Sequence, residues 1–152
     1  MIAPRVESRR MKILVAVDGS KASLGALRYV IEHVDLYRKQ PAIELVTVHR
    51  PVPRLRGMGA AVGKSQIERY YQEEGEKCLA DSKKLLERSN VAYQAHVLVG
   101  EPAEMIVKHS DKTRCDIIAV GAKGRSALGD MILGSTASKV LQLSDTPVLL
   151  LK

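Results

Sequence analysis

Between Asp116 and Val140 the chain reads DIIAVGAKGRSALGDMILGSTASKV. The apolar run Ile117-Ile118-Ala119-Val120 breaks into glycine at Gly121, Gly124 and Gly129, and Gly134-Ser135-Thr136 then opens a new helical pattern. A buried strand that gives way to a glycine loop and then a helix start is suited to holding phosphate. Glycine lets backbone approach a ligand closely. The first amides of a helix and the positive end of its dipole attract anions. Ser135 and Thr136 add hydroxyl donors at that end, and Lys123 is placed to screen phosphate charge. Asp18, at the end of an earlier apolar run, offers a carboxylate to a ribose or a metal ion. Each feature also has a plainer role: an Asx-turn at Asp18-Gly19, a surface turn at Lys123, a helix cap at Ser135.

Read together, Gly121, Gly124, Gly134 and Ser135 give the spacing Gly-x2-Gly-x9-Gly-Ser. With Val15-Ala16-Val17-Asp18-Gly19-Ser20 after the first apolar run, this resembles the universal stress protein family of the ATP-binding kind, from Met11 to Lys152. The resemblance implies an adenine nucleotide, ATP or else ADP or AMP, with magnesium compatible with the site. It implies that Ala16, Asp18 and Val48 line the pocket on the first two strands, with the Val48 backbone at the adenine edge. Val120, Gly121, Lys123 and Gly124 would wrap ribose and phosphate, and Gly134, Ser135 and Thr136 would cradle phosphates. Asp130, inside the nine-residue spacer, reads as solvated, and Gly129 is not required by the pattern.

Two other stretches imitate known sites and fail. Gly57-Met58-Gly59-Ala60-Ala61-Val62-Gly63-Lys64-Ser65 has its glycines out of register for a P-loop or a dinucleotide fingerprint. Its amides, with Arg54, Arg56 and Lys64, could still form a lid over phosphates. The histidines His33, His49, His96 and His109 show no metal spacing with another His or Cys, and read as structural or solvated. No Gly-x-Ser-x-Gly is present, and no paired carboxylates can be argued.

The chain that must position these residues has 152 of them, enough for one domain. It contains no Trp or Phe, so the core must be aliphatic. The net charge of +7 favours anionic partners, yet the basic residues are scattered and aromatic stacking platforms are few. A solvated basic surface is therefore preferred to nucleic-acid binding. Cys78 and Cys115 form no CxxC and are both expected to be buried thiols. No stretch reaches the length of a membrane span, and the chain reads as cytoplasmic.

In order, residues 1–10 read as a flexible tail ahead of one domain over residues 11–152. A strand over Lys12–Asp18 leads to a helix capped by Ser20 and running to about Tyr37. A strand over Ile43–His49 precedes a Pro- and Gly-rich loop from Arg50 to Lys64. A long helix over Ser65–Ser89, a strand over Tyr93–Val99 and a helix from Pro102 to about Lys112 follow. Asp116–Gly121 is the fourth strand, Leu133–Ser144 the last helix and Val148–Leu151 the last strand. This alternation predicts an α/β fold: a doubly wound, Rossmann-like five-stranded parallel sheet with helices on both faces. The order 3-2-1-4-5 comes from the resemblance, and it would set Asp18 beside Gly121 at the crevice where strand order reverses. The last strand, Val148, Leu149, Leu150 and Leu151, is an apolar edge suited to pairing with its own copy, and the resemblance implies a homodimer there. The expected activity is that of a nucleotide-binding stress-response regulator. Slow ATP hydrolysis or autophosphorylation is the most enzymatic form the resemblance allows. The alternatives are an ATP-dependent hydrolase or phosphotransferase on the same fold, and a nucleotide-free dimeric interaction module.

Overall fold

The computed structural model describes residues 9–52, 63–123 and 133–152. Gly124, Gly129, Asp130, Arg54, Arg56, the out-of-register glycines Gly57 and Gly59, and residues 1–8 of the expected tail lie outside them. The elements are β1 (Lys12–Ala16), α1 (Lys21–Glu32), β2 (Ala42–His49), α2 (Lys64–Arg88) and β3 (Tyr93–Val99), then α3 (Pro102–Thr113), β4 (Ile117–Gly121), α4 (Ser135–Leu143) and β5 (Val148–Leu151). All strand pairings are parallel, in the order β3-β2-β1-β4-β5. This is the expected doubly wound, Rossmann-like α/β sheet.

The strands are apolar on both faces because helices cover both. Ile13, Val15, Ile43 and Leu45 pack against Leu27 and Val30 of α1 and Leu79 and Leu86 of α2. Leu14, Val46, Ile118 and Val120 pack on the other face against Ala103 and Ile106 of α3 and Ala137 and Val140 of α4. The period-2 alternation of each strand thus feeds two separate aliphatic cores. One charged residue interrupts the pattern: Glu44 of β2 is buried, on the α3 side.

Element ends follow local chemistry. Pro102 opens α3 where its missing N–H costs nothing. Arg114, in the left-handed conformation, closes it. The helix expected to reach Tyr37 stops at Glu32. His33 leaves helical geometry, its ring stacks on Tyr29 at 4.0 Å, and Nδ1 lies 2.8 Å from the Tyr29 carbonyl. The apolar period continues through a single 3-10 turn, Val34–Leu36. β1 ends at Ala16, two residues before the expected Asp18, which belongs instead to the following turn. Cys115 is buried as expected, and burial pushes its thiol pKa up. Cys78 is only half-buried, because its position on α2 lies at the margin of the packed stripe. Arg9 and Arg10, counted with the tail in the sequence reading, are tied down: Arg9 pairs with Asp116, and Arg10 Nε donates to the Gln40 carbonyl at 2.7 Å. No described helix is long and apolar enough to cross a membrane.

Candidate functional site

The sheet reverses its direction of winding between β1 and β4, and a cleft of about 470 Å³ opens there, beyond the C-terminal ends of the strands. Ala16 and Asp18 line one wall, Val120, Gly121 and Lys123 another. Val48 lies on the β2 side, and Gly134, Ser135 and Thr136 close the far end. Nine of the ten residues that the sequence proposes for the site therefore surround this one cleft; the tenth, Gly124, lies outside the described residues.

Asp18 is held by the turn it starts. Its Oδ1 accepts from the Ser20 amide at 3.0 Å, its own amide donates to Ser23 Oγ at 3.3 Å, and Gly19 between them has φ of 78°. That φ is open to glycine and strained for other residues. The Asx-turn and the cleft-lining position are thus one arrangement, since a carboxylate accepts more than one donor.

β2 outruns β1. The last β1–β2 pairing is Ala16 with Val46, and the Val17 amide donates to the Val46 carbonyl at 2.8 Å. Strand alternation turns the amide and carbonyl of Val48 to the same side as those of Val46, past the end of β1. On the opposite side, the His49 carbonyl accepts from the Gly100 amide at 2.9 Å. Val48 therefore presents a backbone donor and acceptor to the cleft.

Gly134 is the N-cap of α4 and brings no side chain to cap it. The amides of Ser135, Thr136 and Ala137, in the first turn, have no intrahelical acceptor. They face the cleft at the positive end of the helix dipole. The N–H of Gly134 itself donates to the Ala122 carbonyl at 2.7 Å. It anchors the end of β4 and leaves the donors to the residues after it.

Other residues line the cleft beside the proposed ones. His49, whose place near the end of β2 allows it to face the crevice although a structural role is the preferred sequence reading, lines it together with Arg50 and Ser23. Arg50 is held by Glu101 at 2.9 Å, and Lys139 lies 3.9 Å from the same carboxylate oxygen. Pro102 and Ile106 reach the cleft from α3, which packs over β2. Their only sequence signal is topological: a helix that follows β3 and covers β2 must begin near the mouth of the crevice.

A second cluster was missed entirely. Glu44, His96 and His109 come from β2, β3 and α3, and the rings of His96 and His109 lie tilted by 52° with centroids 4.4 Å apart. The histidines are far apart in sequence, so spacing hides them. The usable signal is Glu44 itself, a carboxylate in the middle of an apolar strand.

A doubly wound α/β domain places a helix start without a side-chain cap, a lysine and a carboxylate around a switch-point cleft, where such folds take their ligands. The chain belongs to the universal stress protein family, whose model matches residues 9–152. It is 32% identical over 147 residues to universal stress protein MJ0531 of Methanocaldococcus jannaschii, covering 96% of this chain and 84% of that one. The solved structure of MJ0577 from the same organism superposes with a TM-score of 0.75 at 28% identity, covering 93% of this chain and 94% of that one. A universal stress protein from Archaeoglobus fulgidus in complex with dAMP shares the fold, with a TM-score of 0.63 at 24% identity over 93% of this chain and 98% of that one.

Proposed function

We propose that this universal stress protein binds an adenine nucleotide, ATP, ADP or AMP, in the switch-point cleft and acts as a nucleotide-sensing regulator. The observation that carries the reading is the pair of complementary ends of the cleft. The backbone donor and acceptor of Val48 lie at one end, and the first-turn amides of α4, which have no intrahelical acceptor, lie at the other, with Asp18 and Gly121 between. The cavity has the volume of a small-ligand site. In this reading the adenine edge meets Val48, the ribose hydroxyls meet Asp18, and the phosphates meet Ser135, Thr136 and Lys123. Gly124 completes the loop over the phosphates, and Mg²⁺ accompanies a triphosphate. The dAMP complex of the Archaeoglobus relative is in keeping with a nucleotide of this class. The protein works in the cytoplasm as a homodimer paired through β5, and the bound nucleotide biases which surface meets a partner.

Adenine offers a donor at N6 and an acceptor at N1. Guanine reverses both, so GTP would leave the Val48 groups unpaired at a cost of about 1–3 kcal/mol each. Calorimetry should therefore show ATP binding at least about 10-fold tighter than GTP. Ser135→Asp separates site from fold. A carboxylate at a helix start stabilises the helix but repels phosphate, so the variant should melt no lower than wild type while losing at least about 10-fold in ATP affinity. Equal affinity for ATP and GTP, or an unaltered Ser135→Asp, would refute the orientation proposed. Flat titrations of wild type with ATP, ADP and AMP, with no nucleotide released on denaturation, would refute the function.

A further inference from the structure

Below the floor of the cleft, two residues before Val46 on β2 and one helical turn beyond Ile106 on α3, lies the cluster of Glu44, His96 and His109. None of the three lines the cleft. His96 Nε2 is 2.8 Å and His109 Nε2 is 3.3 Å from the same oxygen, Glu44 Oε2. The three ligand-type atoms all lie within 4.8 Å of one another. We propose that Glu44, His96 and His109 form a binding site for a divalent transition-metal ion of the zinc type, independent of the nucleotide site.

Two imidazoles and one carboxylate are a recurrent donor set for Zn²⁺, with bonds of about 2.0–2.2 Å. Tetrahedral placement at such distances sets neighbouring ligand atoms about 3.3 Å apart, close to the 2.8 and 3.3 Å that separate the two imidazole nitrogens from Glu44 Oε2. A hard ion such as Mg²⁺ or Ca²⁺ would ask for oxygen ligands, which two imidazoles do not supply. The three donors stand on rigid, mutually packed elements: β2 and β3 are hydrogen-bonded neighbours, and α3 lies over them.

The surroundings fit a metal centre as well. Lys12 Nζ donates to the Thr113 carbonyl at 2.9 Å and lies 3.7 Å from Glu44 Oε1, so it orients the carboxylate through the other oxygen. A supporting contact of this kind orients a ligand without occupying its metal-facing atom. His96 is partly exposed, which gives the ion a way in, and water can complete the coordination.

Metal binding can be read on the full chain after chelator treatment and dialysis. Titration with Co²⁺ should show saturable uptake of one ion per chain, with visible d–d absorption of a nitrogen- and oxygen-ligated ion and no thiolate charge-transfer band. Zn²⁺ should then displace it, and either metal should raise the melting temperature. His96→Gln and His109→Gln should each weaken uptake by more than about 10-fold, since losing even a supporting partner of a ligand costs that much. His33→Gln, at a half-buried histidine on the opposite side of the sheet, should leave uptake unchanged. Melting curves of the metal-free variants show whether each is folded, and His96→Gln, at the most exposed of the three, is the variant that keeps the test alive if His109→Gln is not. Absence of saturable uptake by wild type, uptake insensitive to a folded His96→Gln, or a thiolate band would overturn the proposal.

Discussion

Gly75 shows how much of this structure turns on a single missing methyl group. It is buried in α2, and a Cβ built there would lie 2.4 Å from both methyl groups of Val97 on β3. Alanine is normally the better helix residue by about 1 kcal/mol. Here that gain is outweighed, because overpacking of a stiff β-branched neighbour costs about 1–3 kcal/mol. Gly75→Ala should therefore destabilise the chain in urea at unchanged m-value. In a Val97→Ala background the sign should reverse, and the same substitution should stabilise by up to about 1 kcal/mol. A Gly75→Ala variant more stable than wild type would mean that helix and strand separate easily at this point. The sequence showed Gly75 only as a glycine on an amphipathic helix, since its partner lies on another strand. Glu44 was legible in a different way. A carboxylate inside AIELVTVH announces a buried charge in need of partners, but naming His96 and His109 requires the sheet register and the helix that packs across it.

At the scale of elements, local chemistry was readable wherever the determinant lay within a few residues. Ser20 was assigned as the cap of α1 from its place before an apolar helical period, and its Oγ accepts from the Ser23 amide at 3.1 Å. Ser20→Ala should lose about 1 kcal/mol of stability, seen as a lower urea midpoint. Ser20→Asp, whose side chain caps equally well, should keep it. If both variants lost the same amount, the hydroxyl would be serving the contact with Ser23 Oγ at 3.3 Å rather than the helix start. The end of α1 was less legible. Periodicity carried the helix to Tyr37 because apolar spacing continues through the 3-10 turn, whereas the stop is made by His33 folding back on Tyr29. Spacing reports which face is buried, not where the hydrogen-bond pattern changes. The same limit explains β1, whose apolar character runs past Ala16 into a turn governed by Asp18 and Gly19.

For the molecule as a whole, alternating strands and helices dictated a parallel sheet, but the order β3-β2-β1-β4-β5 entered through family resemblance, because no short-range signal states which strands are neighbours. That order decides the site, by putting Asp18 and Gly121 around one crevice, and it also leaves β5 at an edge. The β4–β5 ladder uses the carbonyls of Pro147 and Leu151, which accept from the amides of Ile118 and Ala122 at 2.9 and 2.7 Å. Alternation then points the backbone groups of Val148 and Leu150 outward from the sheet. Their side chains are half-buried, as are those of Leu149 on the opposite face. An apolar edge with outward donors and acceptors is a template for a second strand, and a copy of β5 related by a two-fold axis would satisfy each group by its own symmetry mate. The proposed dimer therefore makes a residue-specific forecast. Amide hydrogen exchange at Val148 and Leu150 should be slow at high protein concentration and should quicken on dilution, in step with a fall in mass by light scattering. Leu149 and Leu151, whose amides face β4, should change far less. Fast exchange at Val148 and Leu150 in a sample whose mass is that of a dimer would place the interface elsewhere on the molecule, and a mass of one chain at every concentration would remove the dimer from the account.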